Sequence, residues 1–301
     1  MTTSSNKHTR IASLLGLVSN SILTILKFII GGITGSSSIL SEAVHSSTDV
    51  MASIMSYMSI KASSKPADAD HPWGHGKIED ISSIVESVLI LAAGGTILYR
   101  SIIRILNPHE SLPNIIGTSL MFGCAIINLV LSMYVSKIAK STESSALVAD
   151  SLHLRTDAYA AGGVGVGLLV SALFGISPHT RWLTSYMDPA AALIVAIVMM
   201  AESKGVITTA VSKLVDRSLP DNEKLAIRTY LRQEHRAGVS CRLLRTRKSG
   251  SKRFIEVGMT VPPDIMVPEL ITISNEVSRH ISKHMLPGSD VTTKLKLMED
   301  V

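Results

Sequence analysis

Long apolar runs separated by short polar breaks fill the chain up to about residue 211, and beyond that point the period changes. Residues 11–30, IASLLGLVSNSILTILKFII, would span about 30 Å as a helix, the thickness of a bilayer's hydrocarbon core. Similar runs cover 37–60, 81–104, 113–136, 146–174 and 184–208. Ser, Gly and Asn interrupt several of them, as happens where membrane helices pack closely on one another. The pattern predicts a polar N-terminal tail over 1–10 and an all-α domain of six transmembrane helices over 11–211. Lys27, one turn from the end of the first run, is expected to snorkel toward the interface. No cleavable signal peptide is expected.

From 212 to 301 the pattern is that of a small α+β domain. Residues 221–236 read as an amphipathic helix with Asp221 and Glu223 at its favourable end. Strands are predicted over 239–247 and 253–261, joined by a turn at residues 248–251. A second helix over 267–286 places Leu270, Ile273, Val277 and Ile281 on one side, and Pro287-Gly288 leads into a last strand at 290–297. The order α-β-β-α-β makes a two-layer domain whose short strands leave an exposed edge, so dimerisation is expected.

Charge supports this division. Residues 1–211 hold 13 Lys/Arg and 13 Asp/Glu, whereas 212–301 hold 16 and 11, so the net charge of +5 resides in the tail. Charged residues are only 18% of the chain and mean hydropathy is +0.33, below the charge fraction of about 25% usual in soluble domains. Lys7, Arg10, Lys61, Lys65, Lys77, Lys137, Lys140 and Lys204 fall on one side of the six runs, against Arg100, Arg104 and Arg181 on the other. By the positive-inside bias, both termini are cytoplasmic. Aromatics at 4% offer no stacking platform for nucleic acid. Two distant cysteines exclude a disulfide framework or a Cys-rich metal knuckle. Nucleotide-binding loops and acyl nucleophile motifs are missing, which speaks against an ATP-driven pump.

The second and fifth runs each carry His-x-x-x-Asp, as His45 with Asp49 and His153 with Asp157. Positions four apart share a helix face. Four ionisable side chains inside a membrane are costly unless they face one another, water or an ion. Two imidazoles and two carboxylates are a tetrahedral set that suits zinc. Two core helices of a soluble protein with polar caps would explain the pairs equally well; six long apolar runs count against it. Glu42 and Asp150 each precede a histidine by three residues and stand as supporting or vestibule carboxylates, or as plain interfacial residues. Arg155 lies off that face, directed at a headgroup or another carboxylate.

These pairs, together with GSSSILSEAVHSSTDVMAS, KPADADHPWGHGKIE, ADSLHLRTDAYAA, KLVDRSLP and LRTRKSGSKRFIEVGMTV, resemble the cation diffusion facilitator family over nearly the whole chain. The resemblance implies a homodimeric, proton-coupled exporter of divalent metal ions in a lipid bilayer, with six membrane helices and a metallochaperone-like (ferredoxin-like) cytoplasmic domain. It implies a transport site at His45, Asp49, His153 and Asp157, and a second, regulatory site at Asp68, His71 and His75, with Asp70 as a spare carboxylate. Lys77 and Asp216 match an ion pair tying the membrane domain to the tail. The His-Asp/His-Asp pattern resembles zinc-preferring members, with Fe, Cd, Co, Ni and Mn as broader cargo. No prosthetic group is implied, the partners being metal ions, protons and a second copy, and the placement a bacterial inner membrane.

The tail departs from the family. At the positions that the resemblance matches to dimer-interface ligands of many bacterial members, this chain has Arg242, Gly258, Ile271 and Lys294. Cys241, His235, His280, His284 and Asp290 lack the spacing of a known site. The tail is therefore expected to dimerise without metal, its basic side chains relieved by carboxylates or turned outward. An alternative consistent with the altered tail is a membrane-embedded scaffold or metal sensor with reduced transport.

Overall fold

The computed structural model describes the backbone over residues 3–34, 37–107, 115–174, 181–233, 235–236, 238–250, 252–286 and 288–297. The chain divides into two compact units, Lys7–Val211 and Ser212–Val301, the latter grouped with the first six residues.

Among the described residues the apolar part forms six long helices: α1 (Thr3–Thr34), α2 (Ser37–Ser63), α3 (Lys77–Leu106), α4 (Ile115–Thr142), α5 (Ser145–Phe174) and α6 (Arg181–Leu214). Their polarity is inverted relative to a soluble bundle. On α1, Ser13, Asn20, Thr24 and Lys27 are buried while Ile22, Ile25, Ile29 and Ile33 are exposed; on α3, Ser83, Glu86 and Ser87 are buried while Val85, Val88 and Leu89 are exposed. Water rewards the reverse arrangement, so this surface is matched to hydrocarbon. Among the described residues, four stretches are long and apolar enough to cross a membrane: Lys7–Ile33, Lys77–Leu106, Ser119–Thr142 and Ala192–Leu214. Helices α2 and α5 fall outside that group, and they are the two that carry the His-x-x-x-Asp pairs. The expectation of six spans is thus met by four on hydropathy.

Polar contacts and small residues hold the bundle. Asn20 Nδ2 donates to Ser53 Oγ at 2.8 Å, and Ser132 Oγ donates to the Ser151 carbonyl at 2.8 Å. A methyl group at Gly94 would lie 2.9 Å from Met200 Cγ, so only glycine lets α3 and α6 approach so closely there. Helices α4 and α5 form a tight hairpin through Glu143 at φ 54°, and Ser144 Oγ caps α5 by accepting from Leu147 N at 3.4 Å. Lys27 corrects the snorkelling expectation. It is only 7% exposed and donates through Nζ to Ser46 Oγ at 2.7 Å, because α2 packed beside it offers an acceptor inside the bundle.

The tail contains α7 (Asp221–Gln233), β1 (His235–Arg236), β2 (Val239–Ser249), β3 (Lys252–Val261), α8 (Val267–His280) ending in a π-helical turn at Ile281–Met285, and β4 (Asp290–Leu297). The sheet order is β1-β2-β3-β4, antiparallel except for the β3–β4 pair. Four strands replace the three expected. The predicted first helix stops early because Gly238, at φ +72°, turns the chain back so that 235–236 pair with 239–240. The core joins Ile227 and Leu231 of α7, Val239 of β2, Ile255, Val257, Met259 and Val261 of β3, and Ile273, Val277 and Ile281 from α8 and its final turn. Each such side chain contributes about 1.5–3 kcal/mol on burial.

On the sheet, Arg242, Gly258 and Lys294 are aligned on one rung across β2, β3 and β4. Glu256 accepts from Arg245 Nε and Lys294 Nζ, both at 2.8 Å, which supplies the expected carboxylate relief. These two partners, Arg245 first, hold the Glu256 carboxyl down from its usual 4.5 to about 2. A folded-state value below the unfolded one stabilises the fold above about pH 4.5 and loses that contribution as pH falls toward 2. Acid unfolding of the isolated tail, followed by circular dichroism, is expected to lose stability across this window more steeply in wild type than in Glu256→Gln. Equal slopes would mean that the triad is not formed in solution.

Candidate metal centre

The sequence places Asp49 on α2 and His153 and Asp157 on α5, and packing of those helices brings the three together. His153 Nε2 lies 3.5 Å from Asp49 Oδ1 and 3.7 Å from Asp157 Oδ2. One ligand atom from each residue lies within 4.8 Å of the others. Asp49 and His153 are buried and Asp157 is half-buried. Among the described residues His153 Nε2 has no hydrogen-bond partner, so a buried ring nitrogen faces two carboxylates. That donor set, one nitrogen and two oxygens, fits a divalent ion better than it fits a packed core.

His45 stands one turn before Asp49 on α2 and is exposed, outside the three-residue cluster. It remains within electrostatic reach of Asp157. The Glu42 side chain lies outside the described residues. Arg155 meets the carboxylate expected for it: Nη2 donates to Glu202 Oε2 of α6 at 2.7 Å.

Sequence reasoning passed over the buried acids Glu79, Asp80 and Glu86, although it named Asp150 as a supporting carboxylate. Glu79 accepts from Ser63 and Ser144, and Asp80 from Ser145, stitching the start of α3 to α2 and α5. Glu86 and Asp150 are essentially inaccessible, and none of their four carboxylate oxygens has a hydrogen-bond partner. A methyl group at Gly16 would lie 3.1 Å from Asp150 Oδ2, so glycine is what lets α1 close over that carboxylate. The signal for Glu86 was present in the sequence: an ionisable residue in the middle of an apolar span. Buried polar atoms without partners cost about 1–3 kcal/mol. Glu86→Met is accordingly expected to raise the stability of the metal-free protein by about that amount, read as a thermal melt in detergent. A lower melting temperature would mean that Glu86 has a stabilising partner in solution.

A second cluster lies in the loop between α2 and α3. Asp68 Oδ1 is 3.4 Å from His71 Nδ1, and Asp68 Oδ2 is 3.4 Å from His75 Nε2. The His71 backbone N–H donates to Asp68 Oδ1 at 2.7 Å and holds its pKa low, aided by the two imidazoles. Gly74, at φ +81°, closes the turn that returns His75 to the group through its N–H bond to the His71 carbonyl. Asp68 and His71 are exposed, and Asp70 stands outside the cluster.

In the tail, none of the described residues joins a metal-binding group. His280 stacks on Tyr230 with ring centroids 4.2 Å apart, and Leu244 fills the space over Gly258. Ile271 is exposed, Cys241 is half-buried and not in a disulfide, and the side chain of His235 lies outside the described residues. Asp216 is engaged by Arg247 Nη1 at 3.1 Å.

Comparison with known proteins agrees with this architecture. The cation efflux transmembrane domain matches residues 13–215, and the cytoplasmic domain of cation efflux proteins matches residues 219–296. An uncharacterized transporter of Synechocystis, sll1263, is 32% identical over 89% of this chain and 84% of its own length. The cation-efflux pump FieF of Cronobacter sakazakii is 28% identical over 93% of this chain and 90% of its own. The manganese efflux system protein MneS of Bacillus subtilis is 26% identical over 93% of both. With a helical domain and a tail domain both matched, the chain belongs to the cation efflux, or cation diffusion facilitator, family of divalent-metal transporters.

Proposed function

We propose that the protein exports divalent metal, Zn²⁺ first, from the cytoplasm in exchange for protons. The observation that carries this reading is the unpartnered His153 Nε2 between the Asp49 and Asp157 carboxylates, inside helices whose outer faces are apolar. His45 supplies the fourth ligand and completes a tetrahedral shell. Two carboxylates offset the ion's charge where water cannot. Imidazole binds a proton near neutral pH, so metal and proton compete for one site and alternating access converts that competition into antiport. All six long helices span the membrane, a bacterial inner membrane, with both termini in the cytoplasm.

Asp68, His71 and His75 form a regulatory metal site on the cytoplasmic side. The tail joins two copies through apolar contacts. Because only an ion that binds the native state preferentially raises stability, the melting temperature of the isolated tail is expected to be the same with Zn²⁺ or chelator, and light scattering to give a dimer in both. A large zinc-induced rise would reveal substitute ligands.

Manganese is the second reading for the cargo. Two of the three gathered ligands are oxygens, which suit harder ions, and one relative is named for manganese efflux. Reconstitution into proteoliposomes with a panel of metals and an imposed pH gradient tests both readings. Zn²⁺ flux that collapses when the gradient is dissipated is expected. No flux of any divalent ion, or flux indifferent to the gradient, would overturn the proposal.

A further inference from the structure

We propose that Lys27 is a built-in counter-cation of the transport site, one that balances the carboxylates between ions and thereby sets how readily a bound ion leaves. The inference rests on the transport-site reading above and deepens it. An ammonium on a helix that presents Ile22, Ile25 and Ile29 outward is costly unless something inside holds it. Lys27 is held on the inside, with Nζ donating to Ser46 Oγ at 2.7 Å. Thr24, one turn earlier on the same face, donates through Oγ1 to the Ser46 carbonyl at 3.1 Å. The α1–α2 seam therefore fixes the ammonium beside Ser46, the residue between His45 and Ser47 and one turn before Asp49. That seam sets the ammonium against the same stretch of α2 that carries His45 and Asp49, the helix that supplies Asp49 to the cluster.

The charges make the consequence directional. With neutral imidazoles, Asp49 and Asp157 contribute two negative charges, and Lys27 neutralises one of them. An arriving divalent ion overcompensates the pair, so ion and ammonium repel. A fixed cation close to the site weakens binding and speeds release, and removing one such charge in a partly buried setting changes affinity on the order of tenfold. Lysine suits the task as a compact point charge on a flexible stem.

The test is Zn²⁺ flux against concentration for the full chain in proteoliposomes. Lys27→Met keeps the apolar stem and is expected to lower KM on the order of tenfold and to lower kcat as release slows, whereas Lys27→Arg restores both. Lys27→Gln removes the same charge and replaces Lys27→Met if that variant does not reconstitute. A fall in kcat with KM unchanged or raised would mean that Lys27 only braces α1 against α2. Unchanged kinetics would mean that it has no part in transport. Asp157→Asn, run in parallel, separates this from the underlying reading: wild-type flux there overturns the site itself, whatever Lys27 does.

Discussion

Replacing Asp157 with Ala is expected to abolish metal flux while leaving a folded, helical protein. The carboxylate stands 3.7 Å from His153 Nε2, and its loss leaves one nitrogen and one carboxylate among the three residues gathered at the centre. Loss of a residue that merely supports a ligand costs about 10–100-fold in metal affinity, so loss of a ligand and its charge costs at least about a hundredfold. Folding is spared because alanine removes a charge that, without metal, weighs against the native state. Asp49→Ala behaves in the same way for the same reason, its carboxylate lying 3.5 Å from the same nitrogen. Radiometal uptake into proteoliposomes, with circular dichroism as the control for folding, makes the measurement. Wild-type flux from both variants would remove the centre from the transport path.

His45→Asp is expected to change the choice of ion more than the rate. His45 occupies the turn before Asp49 and faces an accessible side of α2. As a fourth ligand it makes the set two nitrogens and two oxygens, whereas aspartate there makes it one and three. Harder, oxygen-preferring ions gain from that exchange and zinc loses. The ratio of Mn²⁺ to Zn²⁺ flux is expected to rise by roughly tenfold or more, since a change of ligand type alters each affinity separately. An unchanged ratio would assign selectivity to the helix framework, with His45 outside the shell.

The cluster gathered between α2 and α5 was legible in part because its residue types are expensive where they stand. His45 with Asp49 and His153 with Asp157 interrupt two apolar runs at four-residue spacing, and a shared interior explains why Asp49, His153 and Asp157 meet. The tail was legible from period: Ile273, Val277 and Ile281 are buried as their spacing requires, and β4 occupies 290–297 as expected. Less visible were features that depend on one backbone angle or on a neighbour distant in sequence. The short β1 exists because Gly238 adopts a positive φ, which period does not encode. Lys27 reads as a snorkelling residue until α2 is packed beside it and Ser46 provides an acceptor. Glu256 gave no local sign that Arg245 and Lys294 would converge on it, because that meeting depends on register across three strands. Glu86, in contrast, was visible as a lone acid in an apolar span and was passed over in favour of motifs.

The central claim is that one ion is held between α2 and α5. Anomalous scattering at the zinc edge, from crystals of the full chain grown with Zn²⁺, tests it most directly. A peak enclosed by Asp49, His153 and Asp157, bonded to His153 Nε2 and completed by His45, is expected, and it disappears in Asp157→Ala. A map in which zinc sits at Asp68, His71 and His75 but is missing from the α2–α5 interface, in protein that transports zinc, would contradict it.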